Sequence, residues 1–182
     1  MSGPAPRRVV RLLALLLMRW SGLGLALGFA AFQMWVEVAV AMLVALAQVV
    51  AWRHRLPICW EAAVSAACMI AAVSSFLLLF ERFPWWDIPV HVTVTGVLAV
   101  LVAHVVRRGV PSPRAIVVTG AVLAVVWELM ESAGARWVDS SIYVAPADTA
   151  LDIAAGVTGA AAAALLWHRT GRAERRRARP AR

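Results

Sequence analysis

Six residues that can bind a metal ion or move a proton occur as three pairs between positions 87 and 152 of this 182-residue chain. They are Asp87 and His91, Glu128 and Glu131, and Asp148 and Asp152. Because side chains three or four residues apart share one face of a helix, each pair would point in a single direction. Carboxylates with one imidazole suit Mg²⁺, Mn²⁺, Ca²⁺ or Zn²⁺, and the same groups would serve a proton relay or a pocket for a cationic head group. We therefore predict that these six bind a cation or ligand, with Glu37 as a weaker addition, and His91 and Glu131 are the candidates for a catalytic role.

Each pair also has a structural interpretation. A carboxylate such as Asp87 is favourable in the first turn of a helix. The two glutamates repel each other, and Arg136 would neutralise them. Asp148 is expected to cap a helix that begins at Thr149, which explains it as well as ligand binding does. Capping does not explain Asp152.

The composition is that of a membrane protein. The chain is 62% hydrophobic with a mean hydropathy of +0.77, whereas about half of the residues are apolar in soluble domains. Long apolar segments separated by proline or arginine predict an all-α, polytopic bundle of transmembrane helices. The six predicted spans are Leu12–Phe32, Val36–Trp52, Ile58–Phe80, Ile88–Val106, Ala115–Ala135 and Thr149–Trp167.

This division predicts a basic N-terminus at 1–11, a transmembrane domain at 12–168 and an arginine-rich tail at 169–182. Fifteen of the eighteen arginines then lie on one side, which by the positive-inside rule places both termini in the cytoplasm. Eight of the ten acids lie on the other side. Of the two exceptions, Glu61 is expected to pair with a loop arginine. Arg19 interrupts the first span.

The net charge of +8 does not indicate nucleic-acid binding, because the arginines flank apolar spans and no soluble domain is present for docking. Membrane lipid is the expected partner, and a lipid-linked substrate is a further candidate. Small residues predict close helix packing at Gly24-x3-Gly28, Gly156-x3-Ala160 and Gly159-x3-Ala163. Packing within one chain is favoured over dimerisation, and the oligomeric state stays open.

The order and spacing of several motifs resemble those of the YjdF-like family of bacterial inner-membrane proteins across residues 12–168. A more distant similarity is to VanZ-like membrane proteins, which are linked with glycopeptide resistance. The resemblance implies a small multi-helix membrane protein with no established biochemical activity. The motifs are Trp35-x-Glu37, Arg55-Leu56-Pro57, Asp87-x3-His91, Glu128-x2-Glu131 and Asp148-Thr149-x2-Asp152-x3-Gly156-x2-Gly159-Ala160.

Three functions are compatible with these patterns. The first is an outward-facing site that depends on a divalent cation and acts on a lipid or an envelope precursor. The second is a proton- or cation-coupled transporter, for which Gln48 and Glu61 are the main polar candidates deeper in the bilayer. The third is a structural protein whose acids only stabilise helix ends.

Overall fold

The computed structural model describes residues 6–138 and 145–177, and within these ranges every regular element is helical. Six of the helices are long and apolar enough to cross a membrane, so the prediction of an all-α transmembrane protein is confirmed. A single 3₁₀ turn, Pro84–Trp86, precedes α5. The helices are α1 (Pro6–Ala31), α2 (Trp35–Arg53), α3 (Ile58–Phe76), α4 (Leu79–Arg82), α5 (Asp87–Arg107), α6 (Pro113–Trp137) and α7 (Pro146–Arg177).

The chain divides into two compact units, each of which contains three of the long helices. Unit 1 is Met1–Leu79 and contains α1, α2 and α3. Unit 2 is Phe80–Arg182 and contains α5, α6 and α7.

Four long helices in the described part of the chain end next to a non-glycine residue in the left-handed region. Gln33, Arg55, Leu78 and Arg108 have φ between 50° and 57°, and each follows the end of a long helix by one or two residues. Leu78 ends the third span early, so the predicted boundary at Phe80 is wrong. The helix stops at Phe76 because Leu78, two residues later, adopts the left-handed backbone conformation. The sequence gives no sign of this end, since the stretch contains no glycine or proline.

A buried amide joins the three helices of unit 1. The Gln48 side chain is 1% exposed, and its Oε1 accepts a hydrogen bond of 3.0 Å from the Gly22 backbone N–H. Its Nε2 donates to the hydroxyls of Ser21 at 2.9 Å and Ser65 at 2.8 Å. The Ser65 hydroxyl in turn donates to the carbonyl of Met18. Both ends of the amide are satisfied, which is what a polar group inside a membrane protein requires.

The arginine that interrupts the first span has a counter-ion. Arg19 Nε donates to Glu61 Oε1 at 2.6 Å, and a second guanidinium nitrogen donates to Glu61 Oε2 at 3.3 Å. The Arg19 guanidinium also lies 5.6 Å from the ring centroid of Trp52. The prediction that Glu61 pairs with a loop arginine is therefore wrong. An arginine inside the apolar segment is the partner, because its long side chain reaches the first turn of α3.

Glycines determine how closely the helices of unit 2 approach. A Cβ atom added at Gly159 would collide with the backbone of Val92, and one at Gly96 would lie 2.8 Å from the carbonyl oxygen of Gly159. The predicted packing residue Ala160 meets Gly120 of α6 at another such approach. These positions allow α7 to lie directly against α5 and α6.

The other predicted glycine motif has no such role. A Cβ atom at Gly24 or Gly28 would meet nothing within 4 Å in the described part of the chain. The prediction that they mark a packing face is wrong. Gly22 makes the close approach in α1, since a Cβ there would lie 2.6 Å from the backbone nitrogen of Ala45. Spacing alone does not reveal which face of a helix is covered.

Candidate functional site

The three helices of unit 2 alternate in direction, and this brings the predicted site residues to one end of the unit. Helix α5 begins at this end, α6 finishes there and α7 begins there again. Asp87 and His91 therefore lie in the first two turns of α5, and Asp152 lies in the second turn of α7. The two glutamates lie in the last turns of α6.

Five side chains form a carboxylate–histidine cluster around His91. In one group, single ligand atoms of Asp87, His91 and Asp152 lie within 4.8 Å of one another. In a second group, His91, Glu128 and Glu131 meet the same distance limit. The cluster thus combines four carboxylates with one imidazole, and the imidazole belongs to both groups.

Three members of the cluster are buried, and among the described residues no arginine forms an ion pair with it. His91 is 9% exposed, Glu128 6% and Asp152 3%. Arg136, the predicted neutraliser of the glutamates, is exposed and makes no ion pair with either of them in the described residues. That prediction is wrong, because the Arg136 side chain lies at the surface near the end of α6. The four acids of the cluster therefore lie close together with no arginine paired to them among the described residues.

Glu128 is the least satisfied member of the cluster. The Thr149 side chain hydrogen-bonds its carboxyl group. Its Oε1 atom is buried and has no hydrogen-bond partner among the described residues. A buried polar atom without a partner costs about 1–3 kcal/mol, more when it is charged, so such an atom in a folded protein calls for an explanation. A cation bound next to it would supply the missing partner.

His91 is oriented by its neighbour on the same helix. Its Nε2 atom lies 3.3 Å from Asp87 Oδ1, one turn away. A carboxylate in this position holds an imidazole ring in one orientation and makes it a better ligand or proton acceptor. The Asp87–His91 pair can therefore act as one unit in binding or proton transfer.

Two predicted site residues lie outside the cluster. Asp148 is close enough to interact electrostatically with Glu128 and Asp152, but it is in neither group of converging ligand atoms. The expectation that it caps a helix starting at Thr149 is wrong. Helix α7 begins at Pro146, because proline is well suited to the first helical position, so Asp148 lies inside the first turn.

Glu37 lies in the first turn of α2 and belongs to unit 1. It is half-buried and takes part in neither group of converging ligand atoms.

Close helix packing positions Asp152 in the cluster. One turn after it, a Cβ atom added at Gly156 would lie 3.0 Å from Ala124 of α6 and 3.2 Å from the Thr95 side chain of α5. Helix α7 thus approaches both neighbours at once. The contribution of Thr149 to the cluster was missed by sequence analysis, because a threonine at the start of a helix gives no sign of the residue it contacts.

Six helices long and apolar enough to cross a membrane, three of which surround the polar cluster of unit 2, define a polytopic helical membrane protein. The chain belongs to the family described as "Predicted membrane protein (DUF2238)", whose model matches residues 7–173. No curated protein and no solved structure matches the chain significantly.

Proposed function

We propose that this membrane protein binds a divalent metal ion in the carboxylate–histidine cluster of unit 2. The observation that carries the proposal is the buried Glu128 Oε1 atom, which has no hydrogen-bond partner in the described residues although three other carboxylates lie close by. Four carboxylates in a buried site repel one another strongly at neutral pH unless a cation is present. A divalent ion would offset two of these charges and provide the partner that Glu128 lacks.

The spacing of the ligand atoms supports an ion of this kind. Ligand atoms on opposite sides of an ion are separated by about 4 Å for Mg²⁺ and by about 5 Å for Ca²⁺, given their usual bond lengths. In each group the ligand atoms lie within 4.8 Å of one another, which is close enough for one ion to contact all three after small side-chain rotations. The imidazole ligand favours Zn²⁺, whereas the carboxylates suit Mn²⁺ as well as Mg²⁺ and Ca²⁺. Mn²⁺ is the best first probe, because it tolerates both oxygen and nitrogen ligands.

Aromatic residues support a position at the level of the lipid head groups. Trp85 and Trp86 precede α5 with ring centroids 5.6 Å apart, and Trp137 ends α6 with 77% of its surface exposed. Tryptophan is enriched where a membrane meets water. The ion would therefore lie close to phosphate-bearing head groups, and a lipid or a lipid-linked envelope precursor is the substrate class that fits best.

We also propose an orientation of the chain in the membrane and a finer family assignment. The arginine distribution supports a bacterial inner membrane with both termini in the cytoplasm and the cluster facing outward. The motif order supports a YjdF-like protein, with VanZ-like proteins as more distant relatives.

The two alternative functions have less support. Coupled transport needs polar groups free to exchange ions deeper in the membrane, but Gln48 is held by its hydrogen bonds and Glu61 by Arg19. Stabilisation of helix ends suits Asp87, which lies in a first helical turn. It does not suit Glu128, because this residue lies more than two turns before the end of α6 at Trp137, and charges stabilise a helix end only within its terminal turn.

Metal binding can be measured directly on the full-length chain in detergent. After treatment with a chelator, the protein is titrated with Mn²⁺, and the free ion is followed by electron paramagnetic resonance. We expect about one ion per chain, and at least tenfold weaker binding for Glu131→Gln and for Asp152→Asn, since each substitution removes a charged ligand. Glu81→Gln is the matched control, because Glu81 is exposed and outside the cluster.

Competition with Mg²⁺, Ca²⁺ and Zn²⁺ in the same assay then ranks the ions. The proposal is wrong if the folded wild-type chain binds none of them. It is equally wrong if the two cluster variants bind Mn²⁺ as tightly as Glu81→Gln does.

A further inference from the structure

Unit 1 contains a basic cleft beside the turn that joins α2 to α3. The cleft has a volume of about 490 Å³, and it lies between the start of α3, the end of α2 and the middle of α1. Three arginines line it together with three apolar side chains and one glutamate. We call this the arginine cleft, and its defining residues are Arg19, Trp52, Arg53, Arg55 and Ile58.

The positive charge of the arginine cleft is only partly balanced. Among the described residues that line the cleft, Glu61 is the only acid, and both of its carboxylate oxygens accept hydrogen bonds from Arg19. Arg53 and Arg55 are exposed, and neither forms an ion pair with another described residue. Two guanidinium groups therefore remain available to an anion. Guanidinium binds phosphate with a planar pair of donors, which makes arginine well suited to this ligand.

The backbone conformation of the turn fixes the positions from which the side chains of Arg53 and Arg55 extend. Arg55 has a φ of 55°, and its N–H donates to the carbonyl of Trp52 at 3.0 Å. The next residue, Leu56, is buried and donates to the carbonyl of Ala51 at 3.0 Å. A non-glycine residue in the left-handed region is held there by its surroundings. The turn thus presents Arg53 and Arg55 from a defined position and reduces the entropy lost when they bind a ligand.

Apolar surface borders the same cleft. Trp52 is 40% exposed and Ile58 is 56% exposed, although both lie at helix ends next to arginines. A free inorganic anion would gain nothing from these side chains. A lipid would place its phosphate against the guanidinium groups and its glycerol and acyl chains against the tryptophan and isoleucine.

We propose that the arginine cleft binds the phosphate group of an anionic phospholipid. Basic pockets between transmembrane helices are typical binding sites for such head groups. A zwitterionic lipid carries the same phosphate but also an ammonium group, which the arginines would repel. The site lies in unit 1 and does not depend on the metal-binding proposal.

The test uses the full-length chain in neutral detergent with phosphatidylglycerol and phosphatidylcholine of identical acyl chains. Native mass spectrometry measures the bound lipid at each concentration, and inorganic phosphate is added as a competitor in a separate arm. We expect phosphatidylglycerol to bind at least tenfold more tightly than phosphatidylcholine. We expect Arg53→Gln/Arg55→Gln to weaken phosphatidylglycerol binding about 30-fold, at about 1 kcal/mol for each arginine.

The control double variant is Arg82→Gln/Arg136→Gln, which makes the same change in net charge at exposed positions outside the cleft. It should bind phosphatidylglycerol as the wild type does. Equal loss in the control would show attraction by net charge alone and would overturn the proposal. Equal affinity for both lipids, or full displacement by inorganic phosphate at concentrations similar to those of the lipid, would also overturn it.

Discussion

Glu128 and Glu61 are both buried glutamates, yet they differ in what surrounds them. Glu61 shares two hydrogen bonds with Arg19, whereas one oxygen of Glu128 has no partner among the described residues. We predict that Glu128→Gln stabilises the metal-free protein by about 1–3 kcal/mol, because it removes a buried charge while an oxygen and the side-chain shape remain. Chemical denaturation in the presence of a chelator measures this change.

Glu61→Gln provides the matched contrast, and its effect should have the opposite sign. It leaves the Arg19 guanidinium without a counter-ion, so we expect a loss of about 1–3 kcal/mol in the same assay. A loss of stability for both variants would show that Glu128 is satisfied in the protein as it stands. That result would remove the main support for a cation next to it.

Individual residues could be predicted from sequence when their spacing placed them on one helix. Asp87 and His91 are an example, because helical geometry alone brings them together. Partners on different helices could not be predicted in this way. Arg19 was found for Glu61 and Thr149 for Glu128 only in the structure, since both contacts depend on how the helices are rotated against one another.

At the scale of helices, the contact between α5 and α7 holds the cluster together. We predict that Gly159→Ala destabilises the protein by about 1–3 kcal/mol, because the added methyl group would overlap the backbone of Val92 and push the helices apart. Asp152 on α7 would then move away from His91 on α5. Mn²⁺ affinity should fall at least tenfold although Gly159 contributes no ligand, which titration and denaturation measure together.

Gly28→Ala is the matched control for this substitution. A methyl group at Gly28 meets nothing within 4 Å in the described residues, and alanine favours a helix over glycine by about 1 kcal/mol. This variant should be as stable as the wild type or slightly more stable, with unchanged Mn²⁺ affinity. Equal effects of the two substitutions would mean that the close approach at Gly159 does not position the cluster.

The number and order of the helices could be predicted from apolar length, but some ends could not. The third span illustrates the limit, because a left-handed leucine ends it and leucine is common inside helices. The start of α7 follows from Pro146, which is a strong first-turn signal, whereas Asp148, the expected cap, lies inside the helix. Apolar length reports what a membrane requires, whereas helix ends depend on local backbone bonding.

At the scale of the molecule, basic and acidic residues lie at opposite ends of the spans. The turn between α5 and α6 is flanked by Arg107, Arg108 and Arg114, whereas the cluster lies at the other end of these helices. Helix α5 has 21 residues and is therefore about 32 Å long, enough to cross the apolar part of a bilayer. The two ends of α5 should thus lie on opposite sides of the membrane, with the arginine end inside.

Labelling of single cysteines in intact cells tests this orientation. In a background of Cys59→Ser and Cys68→Ala, we predict that Trp85→Cys reacts with a membrane-impermeant maleimide. Val110→Cys should react only after the cells are permeabilised. Both positions are well exposed, at 61% and 73%, so a difference in labelling would report the side of the membrane rather than burial.

Ser2→Cys extends the same test to the number of spans. Six spans require the N-terminus to be on the same side as the α5–α6 turn, so position 2 should be labelled only after permeabilisation, as position 110 is. Labelling of position 110 in intact cells would reverse the orientation and place the carboxylate–histidine cluster in the cytoplasm. If position 2 is labelled in intact cells while position 110 is still protected, one apolar helix of unit 1 does not cross the membrane. The most exposed candidate would then be α1. Only 11% of its apolar stretch is buried, and Arg19 lies in its middle.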